Sequence, residues 1–152
     1  QRPVEADPMW SRCCTPLLWI WASPGTILGL CVGAGGLLSG GSGRAVGRTL
    51  EFHSGCVRSF LRVIGRGASA MTLGHVILGQ TADDLNRTRR HELVHVRQCE
   101  RWGPFFLPVY LGCAAWLYLR GADGYWDNPF EREAYRVCDC SSEPSPLQSE
   151  QT

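Results

Sequence analysis

The chain has no lysine. All 15 of its basic residues are arginine, set against 14 acidic residues for a net charge of +1. So even a balance excludes the broad basic face that a general nucleic-acid binder needs. Charge of either sign is scarce, at 19% against the roughly 25% of ordinary soluble domains. None lies between Arg12 and Arg44, and none between Arg101 and Arg120. The eight cysteines contain no Cys-x-x-Cys pair, and Cys31 and Cys113 sit inside apolar runs. A zinc ribbon or a secreted disulfide framework therefore fits poorly, and most of these residues read as reduced small hydrophobes. What is present is apolar and aromatic: 44% hydrophobic residues, six tryptophans and 18 glycines in 152 residues. That mixture excludes a disordered chain and a coiled coil, allows one compact domain, and points to a bilayer.

Two apolar stretches carry the membrane signal. Residues 16–38 approach the roughly 20 apolar residues that a span requires, although Ser23-Pro24-Gly25 breaks the run. Residues 103–119 are barely long enough and carry Pro104 and Pro108. Between the two, 39–48 reads as a flexible basic linker. Three strands are expected after it, at about 49–53, 56–64 and 70–78, with Gly65-Arg66-Gly67 turning the second into the third. A helix should then run from Thr81, with Thr81 and Asp84 spaced as a capping box, to about Arg101 before Gly103-Pro104. Asp127-Asn128-Pro129 announces a further helix. Residues 141–152 are Ser, Glu, Gln and Pro with little to bury, and read as a disordered tail. The expected division is an N-terminal segment 1–43, a domain 44–140 and that tail.

The informative motif is His91-Glu92-Leu93-Val94-His95, an HExxH. On a helix, positions i and i+4 share a face, so both imidazoles can reach one ion. Glu92 projects beside them and can take a proton from an activated water as general base. A carboxylate-bridged di-iron bundle would need a second ExxH, and the sequence has none.

With this motif the chain resembles the HExxH zinc metallopeptidases, the zincins, and within them the gluzincins, whose third ligand is a glutamate on a later helix. Membrane-embedded gluzincins of the prenyl-protease and heat-shock-protease kind carry that glutamate in a Glu-x-x-Ala-Asp pattern. Here Glu131-Arg132-Glu133-Ala134-Tyr135 matches Glu131 and Ala134 and departs at Tyr135, where the family has the aspartate that orients a zinc histidine. The stretch from about Met71 to Arg136 is also similar to short, uncharacterised bacterial membrane-associated proteins in which HExxH is followed by Pro-Phe-Glu-x-x-Ala-Tyr. The resemblance implies Zn²⁺ held by His91, His95 and Glu131, Glu92 as catalytic base, and a peptide or protein substrate.

Residue by residue, alternatives stand beside that set. Glu131 is also the third residue after Asn128, where a capping-box glutamate would sit, and Glu133 points about 200° away on the helical wheel, so only one of the two can face the metal. His75, on an apolar strand, and Tyr135 are candidates for steadying an oxyanion or holding a ligand; Tyr125 is another donor. Cys99 follows His95 by four residues and reads as a core thiol more than a ligand. His53 reads as exposed.

Topology is constrained too. If 103–119 crossed a bilayer completely, His95 and Glu131 would lie on opposite sides and could not share an ion. Between residues 39 and 102, ten arginines outnumber five acidic residues, so with 16–38 as a span the positive-inside rule places the catalytic part in the cytoplasm. The expected fold is α+β: a small antiparallel sheet packed on metal-binding helices, with one or two membrane-associated apolar segments and membrane lipid as a partner.

Overall fold

The computed structural model describes residues 17–140. The expected disordered tail, 141–152, lies outside the described residues, as do Cys13 and Cys14. The protein is α+β. A helical turn at 17–21 leads into α1 (Ser23–Leu38), then β1 (Ser42–Val46), β2 (Thr49–His53), α2 (Gly55–Val63), β3 (Ala70–Leu73), β4 (Val76–Gly79), α3 (Ala82–Trp102), α4 (Phe106–Leu119) and α5 (Pro129–Cys140).

Three local expectations are corrected. The glycine-rich stretch taken as a linker forms β1, which pairs antiparallel with β2 from Ser42 opposite His53 to Val46 opposite Thr49. The segment 56–64 is not a strand but the helix α2. Its apolar residues Val57, Phe60, Leu61 and Ile64 recur at helical spacing, and Val57 and Leu61 are fully buried on one face. The single strand expected over 70–78 is a hairpin of β3 and β4, with Leu73 opposite Val76 across a two-residue Gly74-His75 turn. Gly74 has φ +63°, and a Cβ there would run into Thr26 of α1, so only glycine lets α1 lie against the turn.

The sheet order is β1-β2-β4-β3. It is mixed rather than wholly antiparallel, because β4 pairs parallel with β2. The cause is α2, which carries the chain back over the sheet so that the next hairpin adds in the parallel sense.

Alternation along the strands divides the core. Val76, Leu78 and Leu73 pack with Val57 and Leu61, joined by Leu30, Leu50, Phe52 and Met71, so this face is covered by α1 and α2. Ile77 faces the other way and packs on Leu85 and Val96 of α3. Registered beside Ile77 are Glu51 on β2 and Thr72 on β3, with Arg44 of β1 opposite Glu51. One row across the sheet, Arg44–Glu51–Ile77–Thr72, thus lies under α3. Arg89 donates two hydrogen bonds to Glu51, at 2.7 and 2.9 Å.

Thr81 caps α3 as expected, accepting from the Asp84 amide at 3.1 Å. Gly103, at φ +55°, ends the helix and lets the chain continue through a single 3₁₀ turn into α4. Among the described residues, the helical run Ala82–Leu119 is the one long and apolar enough, by length and composition, to cross a membrane. It does not separate the motif helices: loop 120–128 runs back along α4, with Gly124 against Ala114, and α5 then packs on α3.

Candidate metal centre

α3 is amphipathic, and its buried side carries Glu92, Val94, His95, Gln98 and Cys99. Helical spacing brings His91 Nε2 and His95 Nε2 to 3.1 Å. α5 supplies the third group. Its start is fixed by Asn128, fully buried, whose Oδ1 accepts from the Phe130 amide at 3.2 Å. The Asn128 N–H donates to the Tyr125 carbonyl, so Glu131 does not fold back as a cap and its side chain faces α3. Glu131 Oε2 lies 3.2 Å from His91 Nε2, and Oε1 lies 3.4 Å from His95 Nε2. Ala134, fully buried one turn on, leaves room for α5 to approach α3 this closely.

These contacts have the dimensions of a metal site. Two ligands each about 2.0–2.1 Å from a tetrahedral zinc lie roughly 3.3 Å apart; the three pairs approach this at 3.1, 3.2 and 3.4 Å, the last two through different oxygens of Glu131, and with one ligand atom per residue the set lies within 4.8 Å. Proton accounting agrees. Gln98 Nε2 donates to the Phe130 carbonyl at 3.0 Å and to Glu133 at 2.9 Å, so its Oε1 is the atom 2.8 Å from His95 Nδ1. An amide oxygen only accepts, so Nδ1 carries a proton and Nε2 is the ring nitrogen turned toward Glu131. Glu131 Oε2 is buried without a hydrogen-bond partner of good geometry, although His91 Nε2 is within ion-pair range. An orphaned buried carboxylate oxygen beside two imidazole nitrogens calls for a cation or a proton, and His91, His95 and Glu131 could hold a metal ion.

Burial by itself would raise the Glu131 pKa. The His91 and His95 imidazoles and the Tyr110 hydroxyl beside it outweigh that and hold the carboxyl far below its usual range, as the carboxylate. Glu92 behaves oppositely. Burial pushes its pKa above the ordinary value of 4.5, against the lowering influence of the histidines and of Thr72, which donates to Oε2 at 2.7 Å. A carboxyl raised in this way is poised to accept and return a proton.

The remaining sequence candidates fall into two groups. Tyr135 joins the centre, its ring 4.7 Å from His91 and its hydroxyl 3.2 Å from that of Tyr125. His75 does not. It is buried at the β3–β4 turn, stacked on Trp19, with Nε2 3.2 Å from Glu100 and its amide donating to Thr26. Glu133 turns outward to Arg101 and Gln98. Cys99 packs against Ala22, Phe106 and Phe130, and burial pushes its thiol up to about 12. His53 is half-buried beside Ser54.

Three residues at the centre carried no sequence signal of function. Gln98 follows His95 by three and was hidden in the charged surface pattern of α3. Thr72 reads as an ordinary strand residue. Tyr110 sits in the apolar run, yet its hydroxyl donates to Glu131 Oε1 at 2.7 Å. A polar tip inside an uncharged helix was the available clue.

Beside the centre, a shallow groove of about 200 Å³ between α3 and α5 is lined by Arg90, Leu93, Val94, Arg97, Val137 and Cys138, none of them in the triangle. Comparison with known proteins gives no match: no family model, no curated protein and no solved structure matches the chain.

Proposed function

We propose that the protein is a zinc-dependent metallopeptidase of zincin type, hydrolysing peptide bonds at a membrane surface. The observation that carries this reading is the His91–His95–Glu131 triangle, with a buried carboxylate oxygen that lacks a partner and a buried Glu92 on the same helix. Zn²⁺ held by the three residues would supply a Lewis acid that lowers the pKa of water toward neutrality and polarises a carbonyl.

The chain's own residues would do the rest. Glu92, oriented by Thr72, takes the proton from the attacking water on its carboxylate and returns it to the leaving amine. Gln98 keeps the His95 Nε2 lone pair free, and Tyr110 holds Glu131 in place. Thr72 belongs to β3, an edge strand of the sheet, so an extended substrate could add to β3 within reach of Glu92. The exposed apolar α4 supports a lipid surface as the setting of the centre, and the arginine excess in 39–102 favours its cytoplasmic side if 16–38 is a span.

A metal-binding scaffold without turnover is the second reading, favoured by a groove that touches no ligand. Zinc content of purified protein tests the site. One zinc per chain in the wild type, lost in both His95→Ala and Glu131→Ala, is expected; a wild type without zinc sinks the metallopeptidase reading. Glu92→Gln then separates the two readings. A peptidase loses hydrolysis of a peptide library while keeping its zinc, whereas a scaffold has no hydrolysis to lose.

A further inference from the structure

α4 is uncharged and apolar on every side, yet only its first half packs on the other helices. Phe106, Val109, Tyr110 and Cys113 pack against Phe130, Cys99 and Ala22. Beyond them the returning loop half-covers Ala114 and Leu117, and the other side is bare, with Trp116 58%, Tyr118 74% and Leu119 80% exposed. At 1.5 Å per residue the projecting turns, 114–119, are about 9 Å long, close to the 5–10 Å depth at which apolar elements settle below lipid headgroups. Arg120 folds over Trp116, its guanidinium carbon 4.6 Å from the ring centroid, so the one cation of the tip lies beside an aromatic residue. That pairing suits a headgroup level with acyl chains around it.

The same segment holds the metal centre at two points. The Tyr110 hydroxyl donates to Glu131, and the Tyr110 carbonyl accepts from Asn128 Nδ2 at 3.3 Å, at the residue that starts α5. In the returning loop, Trp126 stacks on Tyr135 at 5.1 Å, and Tyr135 lies against His91.

We infer that a lipid bilayer surface is the ligand of the α4 tip and that seating the tip in lipid orders the metal centre, through Tyr110 to Glu131 and through Trp126 and Tyr135 to His91. The inference rests on the metal-centre reading above and adds its regulation. Unseated, a helix with four wet apolar positions in its last turns is free to shift, and Glu131 shifts with it; seated, the third ligand is held for zinc.

The test uses the full chain with phosphatidylcholine–phosphatidylglycerol vesicles, reading flotation and, by chelator competition, zinc affinity with and without lipid. The wild type should float, and vesicles should tighten its zinc binding roughly tenfold or more, the scale of an outer-sphere contact to a ligand. Trp116→Ser combined with Leu119→Ser changes only exposed positions; it should not float, and its zinc affinity should stay at the lipid-free level. Tyr110→Phe should float yet respond less to lipid. A wild type that floats with the same zinc affinity in both conditions overturns the inference and leaves the metal centre standing. So does a wild type that ignores vesicles but forms a dimer abolished by the tip substitutions, which would make the tip a contact between copies. Absence of zinc from every form defeats the metal-centre reading, and the inference with it.

Discussion

His95 and Gln98 stand one helical turn apart, and the Gln98 amide oxygen accepts from His95 Nδ1 at 2.8 Å while its nitrogen reaches the Phe130 carbonyl of α5. One side chain thereby fixes which ring nitrogen of His95 faces Glu131 and ties together the two helices that carry the candidate ligands. In the gluzincins that the sequence resembles, an aspartate does the orienting, and here Tyr135 occupies that place. Gln98→Ala should lower zinc affinity by about 10- to 100-fold with the fold intact. Gln98→Glu, which keeps an acceptor, should recover part of the loss. Equal affinity in all three proteins, measured by chelator competition, would show that His95 is oriented by something else.

Thr72 acts on Glu92 from the edge strand. Removing its hydroxyl in Thr72→Val takes away an influence that lowers the Glu92 pKa and leaves burial, which raises it, unopposed by that bond. The acid limb of the pH–rate profile should therefore move to higher pH. The turnover number should fall about tenfold, or about 1.4 kcal/mol, with KM little changed. A profile that stays in place would remove Thr72 from the proton-transfer machinery.

Glu51 anchors α3 to the sheet. Burial alone would raise its pKa, but hydrogen bonds and charge from Arg89 and Arg44 hold it below the ordinary 4.5. A depressed folded-state pKa contributes stability above the unfolded value, and that contribution is lost as pH falls through the folded value. Glu51→Gln should cost about 2 kcal/mol near neutrality, since both arginines remain partly wet. The gap to the wild type should narrow below about pH 4. Urea denaturation at several pH values reads this directly, and a gap independent of pH would contradict it.

Ala134 is fully buried where α5 meets α3. Ala134→Leu should overpack that contact, costing about 1–3 kcal/mol and drawing Glu131 away from the histidines. Its zinc affinity should drop, while Arg132→Leu, at an exposed position of the same helix, should leave zinc binding unchanged.

Local chemistry made some of this protein legible from the sequence alone. The i, i+4 geometry of His91 and His95 follows from any helix, and Thr81 with Asp84 announces where that helix starts. The Asn-Pro start of α5 likewise sits in consecutive residues. Where period and propensity conflicted, reading one residue at a time failed. Branched and aromatic residues suggested a strand at 56–64, although Val57 and Leu61 keep helical spacing, and one apolar run concealed the turn at Gly74. The direction of β4 depends on where α2 returns the chain, a long-range matter that no short window contains.

The centre divides along the same line. His91, His95 and Glu92 belong to one helix, so their spacing is a property of five residues. That Glu131 rather than Glu133 faces the histidines was decided in three dimensions, by how the loop after α4 returns and by the Tyr125 carbonyl taking the amide that a capping glutamate would have bonded. Gln98, Thr72 and Tyr110 belong to the centre only because packing brings separate segments together. Chain neighbours fix what a helix can present; tertiary packing alone decides what it is presented to.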